Sequence, residues 1–225
     1  MIARPQPTVK PARRGRRPPA AAAATRARVL RRAERLFVRR GYAATSLREV
    51  AAASGVRLFT IQHHFGSKAR LFEEVMGRWN AEVAALVLAT LASAPPALAV
   101  ERVVDALFDF FQANRARVAL HARAALGEGP PRRLARGDPG WVRFITTTTA
   151  AHGLGAGPLD PGLLLITVEG VLHNHVLATP HYRMLFSRDV SDPQLAARVK
   201  RHLRAVLRAL MGQDAHRALR PARRA

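Results

Sequence analysis

Three glycines, Gly41, Gly55 and Gly66, cut the stretch from Thr25 to Ser67 into three apolar-periodic segments, and this punctuation constrains the fold more than any other feature. Val29, Leu30, Ala33, Leu36 and Phe37 recur at steps of three and four with arginines between them. That pattern predicts an amphipathic helix from an N-cap at Thr25 to Gly41. Ser46 and Glu49 stand at capping-box spacing, so a second helix starts at Thr45 or Ser46 and stops at Gly55. A third runs from about Leu58 to Phe65. Ser67 then caps a long fourth helix through Leu71, Phe72, Val75, Trp79, Val83, Leu86 and Leu91.

Two short helices joined by Ser54-Gly55-Val56-Arg57, with an earlier helix to brace them, make the helix-turn-helix pattern, whose second helix enters the DNA major groove. At 100° per residue, Leu58, Ile61 and Phe65 cluster on one face, the buried side. Phe59, Thr60, His63 and His64 point the other way, and Gln62 sits at the flank. Gln62 has the chemistry for paired hydrogen bonds to adenine, and Thr60 and Phe59 for contact with a thymine methyl. The plainer alternatives are a Phe59 tucked into the core by a shifted register, and Gln62, His63 and His64 as solvated surface residues.

Charge points to a polyanion at the same end. Of 225 residues 37 are basic and 15 acidic, a formal charge of +22, and all but Lys10, Lys68 and Lys200 of the bases are arginines. Residues 1–24 hold six bases and no acid, and residues 25–78 twelve bases and four acids. Residues 1–24 are rich in Pro and Ala without apolar periodicity, so they read as a disordered basic arm. Within it, Arg13-Arg14-Gly15-Arg16-Arg17-Pro18 nearly repeats the minor-groove core Arg-Gly-Arg-Pro with one extra arginine. A merely solvated arm is the alternative.

Further helices are expected at 97–113, 115–126, near 140–151, at 162–178 and at 193–211, with Gly- and Pro-rich loops at Gly127 to Gly140 and Gly153 to Pro161. The fold class is all-α: a helix-turn-helix domain over 25–72, a helical domain over 73–211, and a basic tail over 212–225.

The chain resembles the TetR family of bacterial transcription regulators. The family's spaced pattern stands here as Ala33, Leu36-Phe37, Gly41-Tyr42, Thr45, Val50-Ala51, Gly55-Val56, Thr60-Ile61, His64-Phe65, Ser67-Lys68 and Leu71. Arg57, Phe59 and Gln62 depart from the usual residues, so no relative's operator transfers. The resemblance adds Thr45, Ser46, Arg48, His64 and Lys68 to the DNA-contacting set; Lys68 also lies at the start of the fourth helix, where free N–H groups favour an anion.

The resemblance also implies a homodimer through a four-helix interface of the last two helices, with Leu165, Val168, Leu172, Val176, Leu195, Val199, Leu203, Val206, Leu207 and Leu210 as seam candidates. It implies a small-molecule effector among the middle helices, with Phe108, Phe111, His121, Trp141, Phe144 and His173 as lining candidates; plain core is the alternative for each. Glu169 and His173 are i, i+4 neighbours placed to share a hydrogen bond. His173 and His175 diverge by about 200° on a helix and make no metal clamp.

The expected partners are therefore double-stranded DNA, a second copy and an unidentified effector. No cofactor, metal or membrane is expected. An enzyme reading lacks a phosphate-cradling loop, an HExxH spacing or a GxSxG elbow. The absence of cysteine removes disulfides and thiol chemistry. No export signal or bilayer-length apolar run is apparent, which places the protein in the cytoplasm. The rival class is an architectural, largely nonspecific DNA binder.

Overall fold

A computed structural model describes residues 19–95, 98–131, 139–151 and 160–218, all of whose regular elements are α-helices. In order these are α1 (Pro19–Arg40), α2 (Leu47–Ser54), α3 (Leu58–Phe65), α4 (Lys68–Ser93), α5 (Ala99–Ala113), α6 (Arg115–Ala125), α7 (Pro139–Ala151), α8 (Pro161–Leu177), α9 (Thr179–Phe186) and α10 (Pro193–Ala218). The arginine motif Arg13 to Pro18 and the tail beyond Ala218 lie outside the described residues.

The first three helices follow the glycine punctuation. Gly55 adopts φ 63 and ψ 36, a left-handed conformation that a Cβ penalises, and its N–H closes α2 onto Ala51 and Ala52. At the other end of α2 the Ser46 hydroxyl accepts from Glu49 N, while the Glu49 carboxylate accepts from Ser46 N at 2.8 Å. Ser67 caps α4 by accepting from Arg70 N.

Three expectations are corrected. α1 is already helical at Pro19, so Thr25 is no cap; it is buried and its hydroxyl donates to Ala21 O at 2.9 Å. Alanines that look featureless as sequence extend a helix readily once it is anchored downstream. α9 was not expected between the helices at 162–178 and 193–211; Pro180 lies in its first turn, where its missing N–H costs nothing. α10 runs to Ala218, past Gly212, a residue that a helix interior tolerates at a cost of about 1 kcal/mol.

Two apolar cores share two helices. Val29, Leu36 and Phe37 of α1, Val50 of α2 and Ile61 and Phe65 of α3 pack with Leu71, Phe72 and Val75 of α4, and with Leu120 of α6. Trp79 and Val83 of α4 join α5, Val118 of α6, Leu172 and Val176 of α8, Tyr182 of α9 and Leu195, Val199 and Leu203 of α10 in the second core. Both α4 and α6 therefore serve the N-terminal three-helix head and the C-terminal bundle, and the expected division after residue 72 falls inside an unbroken helix.

Arg117 of α6 holds this junction. Its NH1 lies 2.7 Å from Glu82 Oε2 on α4, its guanidinium 4.6 Å from the Trp79 ring centroid, and its Nε 2.8 Å from Glu34 Oε1 on α1. The Glu34 approach is a charge contact at an angle too oblique for a hydrogen bond. One turn and a half further, Arg123 donates to Val38 O of α1 at 3.1 Å.

The seam candidates need redistribution. Leu172, Val176, Leu195, Val199, Leu203 and Leu207 are buried inside their own chain, where α8 and α10 pack on α5. Val168 and Val206 are half-buried, and the side chains of Leu165 and Leu210 lie outside the described residues. What α8 leaves open is Leu163 and Ile166, 65% and 66% exposed, followed by Thr167, Gly170 and Asn174. Apolar periodicity marks a buried face without saying whether the same chain or a second copy buries it.

Candidate nucleic-acid interface and effector site

α3 is anchored from below and open above. Ile61 and Phe65 are buried in the head, and each contributes about 1.5 to 3 kcal/mol by that burial. Phe59, Gln62 and His63 are exposed, and Thr60 and His64 are half-buried beside them. At 74% exposure Phe59 is not tucked into the core; its ring stacks on His63 one turn on, centroids 6.2 Å apart and planes 17° apart. The face carrying an amide, a hydroxyl, two imidazoles and one large apolar ring is the mix that major-groove edges pair with.

The flanking candidates divide. Arg48 and Ser46 are exposed on α2, Ser46 through a hydroxyl already engaged as a cap. Thr45 is corrected: it is 2% exposed and its hydroxyl donates to Gly41 O at 2.8 Å, so its side chain closes the α1–α2 turn instead of facing a partner. Lys68 donates to Ala43 O at 3.0 Å and lies 4.3 Å from the Tyr42 ring centroid. Partial burial lowers its pKa, opposed by Glu49. It pins the start of α4 to the α1–α2 turn.

Among the middle helices the six lining candidates fall in different places. Phe111, His121 and His173 converge on Trp79: the His121 and Phe111 centroids lie 5.1 and 5.5 Å from that ring, and Phe111 lies 5.2 Å from His173. Phe108 is buried deeper, toward Lys200 of α10. Trp141 and Phe144 stack at 5.3 Å on α7, over a surface groove floored by Ala81, Ala84 and Ala85 of α4. Sequence reasoning missed Trp79 as the hub, although it occupies a core position of the fourth helix; Arg117, one turn before His121, carried no signal beyond that spacing.

His121 is held neutral. Burial above all, then the neighbouring His173 and the Arg117 cation, push its pKa down to about 3. His173 Nδ1 meets the Glu169 backbone carbonyl at 2.7 Å, so the i, i+4 bond runs to main chain and not to the carboxylate. His175 turns elsewhere, to Tyr182 and His202, in a cleft of about 460 Å³ between α8, α9 and α10. Among the described residues no three potential metal ligands converge, and no helix is long and apolar enough to cross a membrane.

A short capped helix, a left-handed glycine and an eight-residue helix braced by a third define a helix-turn-helix protein. Residues 29–75 match the family model for bacterial regulatory proteins of the tetR family. Over these residues the chain is similar to that family of transcription regulators.

Over 98 residues it is 36% identical to the HTH-type transcriptional repressor Rv3405c of Mycobacterium tuberculosis and, equally, to the HTH-type transcriptional regulator Mb3439c of Mycobacterium bovis. The match takes in 44% of this chain and spans about half the length, 50%, of these curated relatives.

Solved structures share the fold. A TetR-family regulator from Streptomyces coelicolor aligns with TM-score 0.53 and 23% identity over 88% of this chain and 98% of that one. The fatty acid degradation regulator FadR from Bacillus halodurans aligns with TM-score 0.54 and 14% identity over 94% and 100%.

Proposed function

We propose that this chain is a sequence-specific transcription regulator that binds a palindromic operator as a homodimer and is released from it by a small, mostly apolar effector. The observation that carries the reading is α3, with Ile61 and Phe65 locked beneath and Phe59, Gln62 and His63 free above. Repression is the favoured direction, since one relative, 36% identical over 98 residues, is a repressor.

The exposed apolar residues Leu163 and Ile166 of α8 supply the face for a second copy. Exposed large apolar residues grouped on one helix face favour burial against a partner. The effector sits among residues 97–178, and linkage requires that it bind the operator-bound dimer more weakly by the same factor by which it weakens operator binding, about 5- to 150-fold. The cytoplasm is the compartment this role needs.

Selection of bound sequences from random DNA tests the reading. The expected product is a symmetric motif whose half-sites lie about 34 to 36 Å apart, or a multiple of that. Binding that follows salt alone and returns no symmetric motif would refute it and mark an architectural, nonspecific binder.

A further inference from the structure

The arginines of α1 divide by what they meet. Arg26 pairs with Glu74, Arg28 donates to Ser54 O at 3.1 Å, and Arg40 pairs with Glu49. Arg32, Arg35 and Arg39 are exposed, stand at i, i+3 and i+7 on one face of the helix, and pair with no acid among the described residues. Like charges at this spacing repel one another.

These three line a groove of about 400 Å³ between α1 and α6, together with Glu34, Val38 and, from α6, Arg117. A merely solvated face has no second wall, whereas here guanidinium groups from two helices surround a concavity. Glu34 and Glu82 offset two of the four cations, both through Arg117 at 2.8 and 2.7 Å, which leaves two positive charges uncompensated. Arg117 also keeps donor capacity, since its Nη2 is buried and has no hydrogen-bond partner. A buried donor left unpaired costs free energy that an acceptor recovers.

Guanidinium groups fork onto oxyanions. A phosphate ester brings three acceptor oxygens and a charge of about −1.5 to −2 at neutral pH, enough to answer the excess, where a carboxylate brings a single charge. The groove also falls in the volume range of small-molecule sites, about 300 to 1,000 Å³. Val38 and the methylene stems of the arginines offer apolar contact to a body beyond the phosphate. No lining residue lies on α2 or α3, so the groove is separate from the reading face.

We infer that the α1–α6 groove is a second ligand site, for a small phosphate-bearing molecule whose phosphate is held by Arg32, Arg35 and Arg39 with Arg117 behind them. α1 belongs to the head core and α6 to both cores, so an occupant touches both sides of the head–bundle junction. Its binding does not depend on an apolar effector among the middle helices.

Titration calorimetry on the full chain, in chloride buffer at neutral pH, tests the site with pyrophosphate, ADP and adenosine. Pyrophosphate and ADP are expected to bind and adenosine is not; tighter binding of ADP assigns an organic phosphate, and equal or tighter binding of pyrophosphate an inorganic one. The triple variant Arg32→Gln, Arg35→Gln, Arg39→Gln is expected to weaken both by about tenfold or more, at least the worth of one charge-assisted hydrogen bond. A control that removes the same charge from exposed positions on other helices, Arg102→Gln, Arg143→Gln, Arg201→Gln, is expected to leave both nearly unchanged. Arg35→Gln alone serves if the groove variant fails to fold, as judged by circular dichroism.

Failure of both phosphate compounds to bind, affinity that the groove variant retains, or equal losses in the two triple variants would overturn the inference. A groove variant that weakens duplex DNA more than the control does, while leaving pyrophosphate and ADP untouched, would make the groove a DNA contact and overturn it too.

Discussion

Acid should destabilise this protein through one imidazole. Burial, His173 and Arg117 hold His121 neutral to about pH 3 in the folded chain, whereas a solvated histidine protonates near 6.5. Below that value the unfolded state binds a proton that the folded state refuses. The stability linked to this depressed pKa is therefore fully present above about pH 6.5 and drains away as the pH falls toward 3.

At 1.36 kcal/mol per pH unit, the single group removes about 2 to 3 kcal/mol between roughly pH 6.5 and pH 4.5. That is a large part of the stability of an ordinary domain, about 5 to 15 kcal/mol. Urea unfolding followed by tryptophan emission gives the free energy at each pH for the native chain and for His121→Phe. Carboxylates titrate alike in both, and any packing penalty of the Phe ring is a constant offset. The native chain is expected to lose about 2 to 3 kcal/mol more than the variant over this window. Parallel curves for the two proteins would refute the reasoning.

Gln62→Ala is expected to relax preference at particular bases at a cost of about 1 to 3 kcal/mol, while Lys68→Ala weakens all sequences alike and lowers the salt slope by about one; identical behaviour of the two across an operator panel would reverse these roles. Ile166→Arg, on the open face of α8, is expected to give a folded monomer by analytical ultracentrifugation, whereas Leu203→Arg, buried in its own chain, is expected to lose helicity. Gly55→Val places a β-branched side chain at φ 63 and is expected to cost about 1 to 3 kcal/mol of head stability by thermal melting. Glu49 is held below the usual carboxylate range chiefly by the Ser46 N–H and hydroxyl, so its contribution is present above the unfolded pKa and fades as acid protonates it; Glu49→Gln should flatten that part of the acid limb.

The reading head was legible in the linear sequence because its determinants are local. Caps at Ser46 and Ser67, a left-handed glycine at 55 and apolar spacing over eight residues act within one or two turns, so α2 and α3 fall where the spacing puts them. The same spacing separates Ile61 and Phe65 from Phe59 and Gln62 without reference to anything distant.

What depended on distance was decided only by the tertiary fold. Thr45 turned inward because the α1–α2 turn folds over it, and α9 formed in a stretch where no helix was expected. Leu172 and Leu203 were consumed by α5, and the large apolar residues left exposed on α8, Leu163 and Ile166, are not among the expected seam residues. Above all, Trp79, Phe111, His121, His173 and Arg117 are scattered over nearly a hundred residues, and apart from the i, i+4 pair Arg117 and His121 no helical spacing links them. Only the packing of α4, α5, α6 and α8 brings them together, because burial and charge act through space while periodicity acts along the chain.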